Sequence, residues 1–175
     1  MKVLLVDDSA SCRMRVCKIL RESGQDFSIY HAENGNEALL LIEENKGIDI
    51  ILSDINMPEM DGITLLKILR EKEQKEEKNP PPFIIYSTEC SEELKSIAKS
   101  FKAAAWLLKP AKPNTIILAL NQIFNPLKAH KSWIYRGGWN EKVYFRCGQG
   151  VDPLEPNLSR QRSEHRRSWK AAWNP

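Results

Sequence analysis

The sequence contains no apolar run near the roughly 18 residues that a membrane-spanning helix needs. Its opening, Met1-Lys2-Val3-Leu4-Leu5-Val6, is cut short by Asp7 and Asp8, which makes a poor signal peptide. The four cysteines (Cys12, Cys17, Cys90 and Cys147) form no CxxC pair. That spacing argues against a zinc site or a disulfide framework, and a reducing cytoplasm is the expected compartment. Helix-turn-helix spacing is missing after residue 127. Full-length disorder is excluded by composition, since 42% of residues are apolar and 28% charged. A chain of 175 residues accommodates one ordinary domain with an appendage, or two very small ones.

What is present is unevenly distributed. Residues 1–127 carry 16 basic and 19 acidic residues, while 128–175 carry 10 basic and 4 acidic ones. The second segment also holds four of the five tryptophans. An acidic body with a basic, aromatic tail follows, and each part is read separately.

In the body, short apolar runs alternate with helical patterns. Strands are expected at 2–6, 27–31, 48–53, 83–87 and 104–108. Helices are expected at 10–23, 35–45, from Asp61-Gly62 onward, at 91–101 and at 113–124. The first helix presents Met14, Cys17 and Leu20 on one face. The charge run at 71–78 reads as a solvated helix end or a loop, stopped by Pro80-Pro81-Pro82. Such alternation implies an α/β fold with a parallel sheet and helices on both faces. Ligands in these folds bind outside the carboxyl ends of the strands.

The strand ends carry residues that folding alone does not require. They are Asp7-Asp8, Ser53-Asp54, Ser87-Thr88 and Lys109-Pro110. Carboxylates gathered on one edge repel one another unless a cation neutralises them. Oxygen ligands suit a hard ion such as Mg²⁺. With Lys109 beside them, they form a site able to hold a phosphoryl group. Asp54, central in the expected sheet, is the candidate nucleophile for an aspartyl-phosphate, and Asp7 and Asp8 are candidate metal ligands. Each has a plainer reading. Asp7 or Asp8 can cap a helix, as Asp61 is expected to do. Lys109 alone reads as a surface charge, and His31 and His130 read as structural or exposed. A phosphatase with an Asp nucleophile would want a second Asp two residues on, where Asn56 stands.

The chain resembles the receiver domain of two-component response regulators, of the stand-alone chemotaxis (CheY-type) kind. The resemblance rests on Asp7-Asp8-Ser9, on Asp54 through Gly62, on Ser87 and on Lys109-Pro110, and covers about residues 1–126. It implies a flavodoxin-like doubly wound (βα)5 sandwich, a five-stranded parallel sheet of order 2-1-3-4-5, followed by an irregular tail. It implies Asp54 as phosphoacceptor, and Mg²⁺ (or Mn²⁺) held by Asp7, Asp8, Asp54 and the backbone carbonyl of Asn56. Lys109 would contact the phosphoryl group, Ser87 would be the switch hydroxyl and Trp106 the switch aromatic. Asn56 and Glu89 would tune dephosphorylation, and the Lys109–Pro110 bond would be cis. Lys102 stands where many receivers have Gly. The implied partners are a sensor histidine kinase or histidine phosphotransfer protein, and a downstream protein reading the 91–124 face. The protein would signal rather than turn over a substrate. Residues 127–175 are expected to be a basic, Trp-rich tail, disordered or at least no known output domain. Through Arg160, Arg162, Arg166, Arg167 and Lys170 the tail offers an alternative, a phosphorylation-controlled nucleic-acid binder.

Overall fold

A computed structural model of the chain describes residues 1–44, 47–76, 80–124 and 143–145, with 74–76 and 143–145 as backbone. Five parallel strands are β1 (Lys2–Val6), β2 (Ser28–Ala32), β3 (Ile50–Ser53), β4 (Phe83–Ser87) and β5 (Ala105–Leu108). Between and after them run α1 (Ala10–Glu22), α2 (Gly35–Glu44), α3 (Gly62–Glu76), α4 (Glu92–Ser100) and α5 (Pro113–Phe124). A short β6 (Val143–Phe145) follows, giving the sheet order β2-β1-β3-β4-β5-β6. The parallel core is the expected one. The added antiparallel strand falls in the segment expected to be irregular.

Parallel strands covered on both faces need apolar residues pointing both ways. In β1, Leu4 and Val6 join one core cluster, with Leu65, Leu66 and Leu69 of α3 and Ala98 of α4. Val3 and Leu5 join the other, with Val16 and Leu20 of α1 and Ile116, Ala119 and Leu120 of α5. This two-residue alternation sorts the helices into two layers. Met14 departs from expectation: it is 61% exposed, and α1 buries Val16, Cys17 and Leu20 instead. Positions 16, 17 and 20 make the i, i+1, i+4 seam, and Met14 falls outside it. Of the charge run, residues 71–76 are helix, the last turns of α3. Among the described residues no helix is long and apolar enough to cross a membrane.

Two local features fix the loops at the functional edge. Asp61 caps α3, accepting from Thr64 N at 2.8 Å and Thr64 Oγ1 at 2.6 Å. Ser9, rather than Asp7 or Asp8, caps α1 through Cys12 N at 3.4 Å. α4 ends in a Schellman turn, with Ala103 N donating to Ala98 O at 2.9 Å and Lys102 N to Lys99 O at 3.0 Å. Lys102 adopts φ 57° there, the left-handed conformation that favours glycine.

Candidate functional site

The strand order reverses between β1 and β3, and a crevice opens outside their carboxyl ends. Asp7 follows β1 and Asp54 follows β3. The register pairs Val6 with Ser53, and Asp54 N donates to Val6 O at 2.8 Å, so the two carboxylates emerge side by side. Asp7 is 6% exposed and Asp54 9%, whereas Asp8 is open to solvent. Ligand oxygens of Asp7, Asp8 and Asp54 all lie within 4.8 Å of one another. An all-oxygen donor set of this charge fits a hard divalent cation.

Lys109 reaches this cluster from the loop after β5, beside a cis Lys109–Pro110 bond. Its Nζ lies 2.6 Å from Asp7 Oδ2 and 2.5 Å from Asp54 Oδ2. Burial by itself would lower the lysine pKa. Hydrogen bonds to Asp54 and Asp7 outweigh it and hold the ammonium above its ordinary value, so Lys109 is charged. The remaining oxygens are held by backbone: Ser9 N donates to Asp7 Oδ1 at 2.9 Å, and Ile55 N to Asp54 Oδ1 at 2.6 Å. These bonds fix the rotamers of both acids.

The other expected residues surround this centre. Ser87 ends β4 with no exposed surface, and its backbone carbonyl accepts from Lys109 N at 2.8 Å. Its Oγ accepts from Glu89 N at 3.4 Å. The exposed Asn56 and Glu89 meet side chain to side chain, Asn56 Nδ2 donating to Glu89 Oε1 at 3.3 Å. Trp106 is 4% exposed and packs in the core cluster with Phe83, Ile85 and Ala98. Its Nε1 donates to Glu89 O at 3.3 Å, which ties it to the loop after Ser87. His31 is exposed, and its pKa is lowered by partial burial and by Arg13 and Arg21. His130 and the five basic tail residues lie outside the described residues.

Three neighbours have roles at the site that the sequence reading did not assign. Arg13 Nη1 donates to Asp7 O at 2.5 Å and Asp8 O at 3.3 Å, and its Nη2 pairs with Glu33 at 2.6 Å. A cation in the first turn of a helix opposes the helix dipole, and that misplacement was the available clue. Tyr86 lies under Lys109, with the ammonium 5.3 Å from the ring centroid and its hydroxyl accepting from Ala111 N at 3.5 Å. A Cβ built on Gly62 would stand 2.0 Å from Asp54 O. The loop after Asp54 therefore folds back so tightly that only glycine fits. Gly62 N closes it by donating to Ile55 O at 2.9 Å.

The chain is similar to several known proteins. The sequence model of the response regulator receiver domain matches residues 3–121. A chemotaxis protein CheY homolog of Campylobacter jejuni is 32% identical over 118 residues, covering 66% of this chain and 86% of that protein. A protein-glutamate methylesterase/protein-glutamine glutaminase of Archaeoglobus fulgidus is 32% identical over 167 residues. The match takes in 84% of this chain but spans only 45% of that relative's length. Among solved structures, chemotaxis protein CheY4 of Vibrio cholerae superposes with a TM-score of 0.61 at 36% identity, covering 70% of this chain and 97% of that one.

Proposed function

The chain belongs to the response regulator receiver domain family of two-component systems, and from that premise we propose that it is a phosphoacceptor signalling protein that takes a phosphoryl group on Asp54. The observation that carries this is the arrangement of Asp54 beside Asp7 and Asp8, with the Lys109 ammonium bonded to it at 2.5 Å. In this reading a partner's phosphohistidine is the donor. Asp54 Oδ2 forms the new P–O bond, the P–N bond breaks, and the imidazole leaves with the electron pair and takes a proton from water. Lys109 turns from Asp54 to the transferred phosphoryl oxygens and offsets their charge. Asp7, Asp8, Asp54 and the backbone carbonyl of Asn56 would hold Mg²⁺ (or Mn²⁺), which when bound neutralises charge on the transferring group.

Ser87 is the hydroxyl proposed to follow the phosphoryl oxygens. Its bond to Glu89 N and the bond of Trp106 to Glu89 O give it a direct line to β5. A phosphoryl group adds about −1.5 to −2 charges. The Ser87, Glu89 and Trp106 set would convert that charge into a population shift of the 91–124 face, which a downstream protein reads. Asn56 and Glu89, bonded across the mouth, are the proposed regulators of the lifetime of the phosphoryl group. Residues 1–126 form the receiver in this reading, 127–175 the basic tail, and the protein works in the cytoplasm. No turnover activity is assigned to the chain, and the methylesterase of the longer relative belongs to that whole protein.

Incubation with Mg²⁺ and acetyl phosphate, followed by intact mass, tests the reading. The expected result is one labile phosphoryl adduct, lost when Mg²⁺ is withheld and in Asp54→Ala. An adduct that survives Asp54→Ala would overturn it.

A further inference from the structure

The strand β6 is not explained by phosphoacceptor chemistry. It pairs antiparallel with β5, in the register Ala105 with Phe145, Trp106 with Tyr144 and Leu107 with Val143. A sheet edge presents a row of unpaired N–H and C=O groups and is a template for an added strand. Ala104 N donates to Phe83 O on the β4 side. Successive N–H groups of a strand point to opposite sides, so those of Ala105 and Leu107 face the β6 edge. The residue types that fill it, Val-Tyr-Phe, favour extended backbone, and glycines stand on both sides at 137–138 and 148.

The strand that β6 covers is also the strand joined to the acidic site at two points. Trp106, at the middle of the paired register, bonds to Glu89 O, two residues past Ser87. Lys109, just beyond the end of β5, bonds to Asp7 and Asp54. The three-residue β6 is therefore seated while Lys109 is still engaged by the unmodified carboxylates.

We propose that the β5 edge is a strand-docking site which the chain fills with its own residues 143–145, and that phosphorylation of Asp54 loosens this strand and uncovers the edge. The proposal rests on the reading of Asp54 as phosphoacceptor. A phosphoryl group draws Lys109 and Ser87 to new partners and so shifts β5 from both attachments. A strand of three residues holds by few hydrogen bonds and releases first. Linkage makes the effect reciprocal: a strand bound to the unmodified arrangement opposes phosphorylation.

Amide hydrogen exchange on the full chain, with intact mass in parallel, tests this. Phe145→Pro and Val143→Pro each remove a β6 N–H that faces β5. In the unmodified protein both variants are expected to exchange Ala105 and Leu107 amides about tenfold faster than the parent, with β1 and β3 amides unchanged as the sign of an intact fold. Acetyl phosphate with Mg²⁺ should accelerate the same amides in the parent and add little in the variants. The variants should also take up phosphoryl to a greater extent. Equal exchange in parent and both variants would overturn the docking. A phosphorylated parent with unchanged Ala105 and Leu107 exchange would overturn the gating. Absence of any adduct by mass would overturn the phosphoacceptor reading and the gating together, while the unmodified comparison would still judge the docking.

Discussion

Lys109→Met keeps an unbranched apolar stem, one atom shorter, and removes the ammonium with its charge and its hydrogen bonds to Asp7 and Asp54. In the parent, the ammonium lies 2.6 Å from Asp7 and 2.5 Å from Asp54, both nearly buried. Removing one partner of a buried ion pair costs about 3–5 kcal/mol. The cluster opens to water at Asp8, so the lower end applies, about 3 kcal/mol. With a urea m-value of about 2 kcal/mol/M, the unfolding midpoint should fall by roughly 1.5 M. Three carboxylates left without their ammonium should then bind a cation more tightly. Added Mg²⁺ should raise the midpoint of Lys109→Met further than that of the parent, in proportion to the logarithm of ligand over dissociation constant. The alkaline limb supplies an internal check. Lys109 has a raised pKa in the fold, so its contribution is fully present below its unfolded value of about 10.4 and is lost as pH rises through the folded value. The stability gap between parent and variant should accordingly close in that window. A loss below about 1 kcal/mol, or equal Mg²⁺ stabilisation of the two proteins, would refute the claim that Lys109 is the counter-ion that holds the cluster together.

Three further outcomes follow from the turns and helix ends. Gly62→Ala forces a Cβ to within 2.0 Å of the Asp54 carbonyl, and should cost about 3 kcal/mol by urea unfolding and slow adduct formation at Asp54. Lys102→Gly should stabilise the fold by about 0.5–1 kcal/mol in the same assay, because left-handed strain of about 1–2 kcal/mol is relieved against a smaller entropic loss in the unfolded chain. Asp61→Ala should cost about 1 kcal/mol near neutral pH through loss of the α3 cap. Burial raises the Asp61 pKa, but hydrogen bonds from Thr64 outweigh this and lower it, so the cap's contribution is present above the unfolded value and vanishes as pH falls through the folded one. The parent and Asp61→Ala should therefore converge in acid unfolding curves.

What was legible in the sequence is what local pattern encodes. The runs 83–87 and 113–124 match β4 and α5 end to end, since β-branched runs and helical spacing need no distant partner to be read. The polar strand ends gave the candidate site, because Asp7, Asp54 and Lys109 interrupt otherwise apolar strands at points the topology brings together. Tertiary choices were not legible. Met14 and Val16 both suit a buried helix face, and only the packing against β1 and β3 selects Val16. The helix through 71–76 has no apolar face to announce it; α3 propagates past its buried turns on residues with good helix propensity. The pairing of β6 spans the connecting residues 125–142, and a three-residue strand carries no period of its own. The cap is Ser9, the residue directly before α1, while Asp7 takes Lys109 as partner, a contact 102 residues away in sequence.

The central claim is that the Asp54 carboxylate receives the phosphoryl group. Borohydride reduces an aspartyl acyl phosphate to homoserine, which marks the acceptor at residue level. The phosphorylated full chain, reduced and mapped by peptide mass, is expected to carry homoserine at position 54 and at no other aspartate. Homoserine at Asp7 or Asp8, or a phosphoryl adduct that leaves position 54 unreduced, would contradict the account.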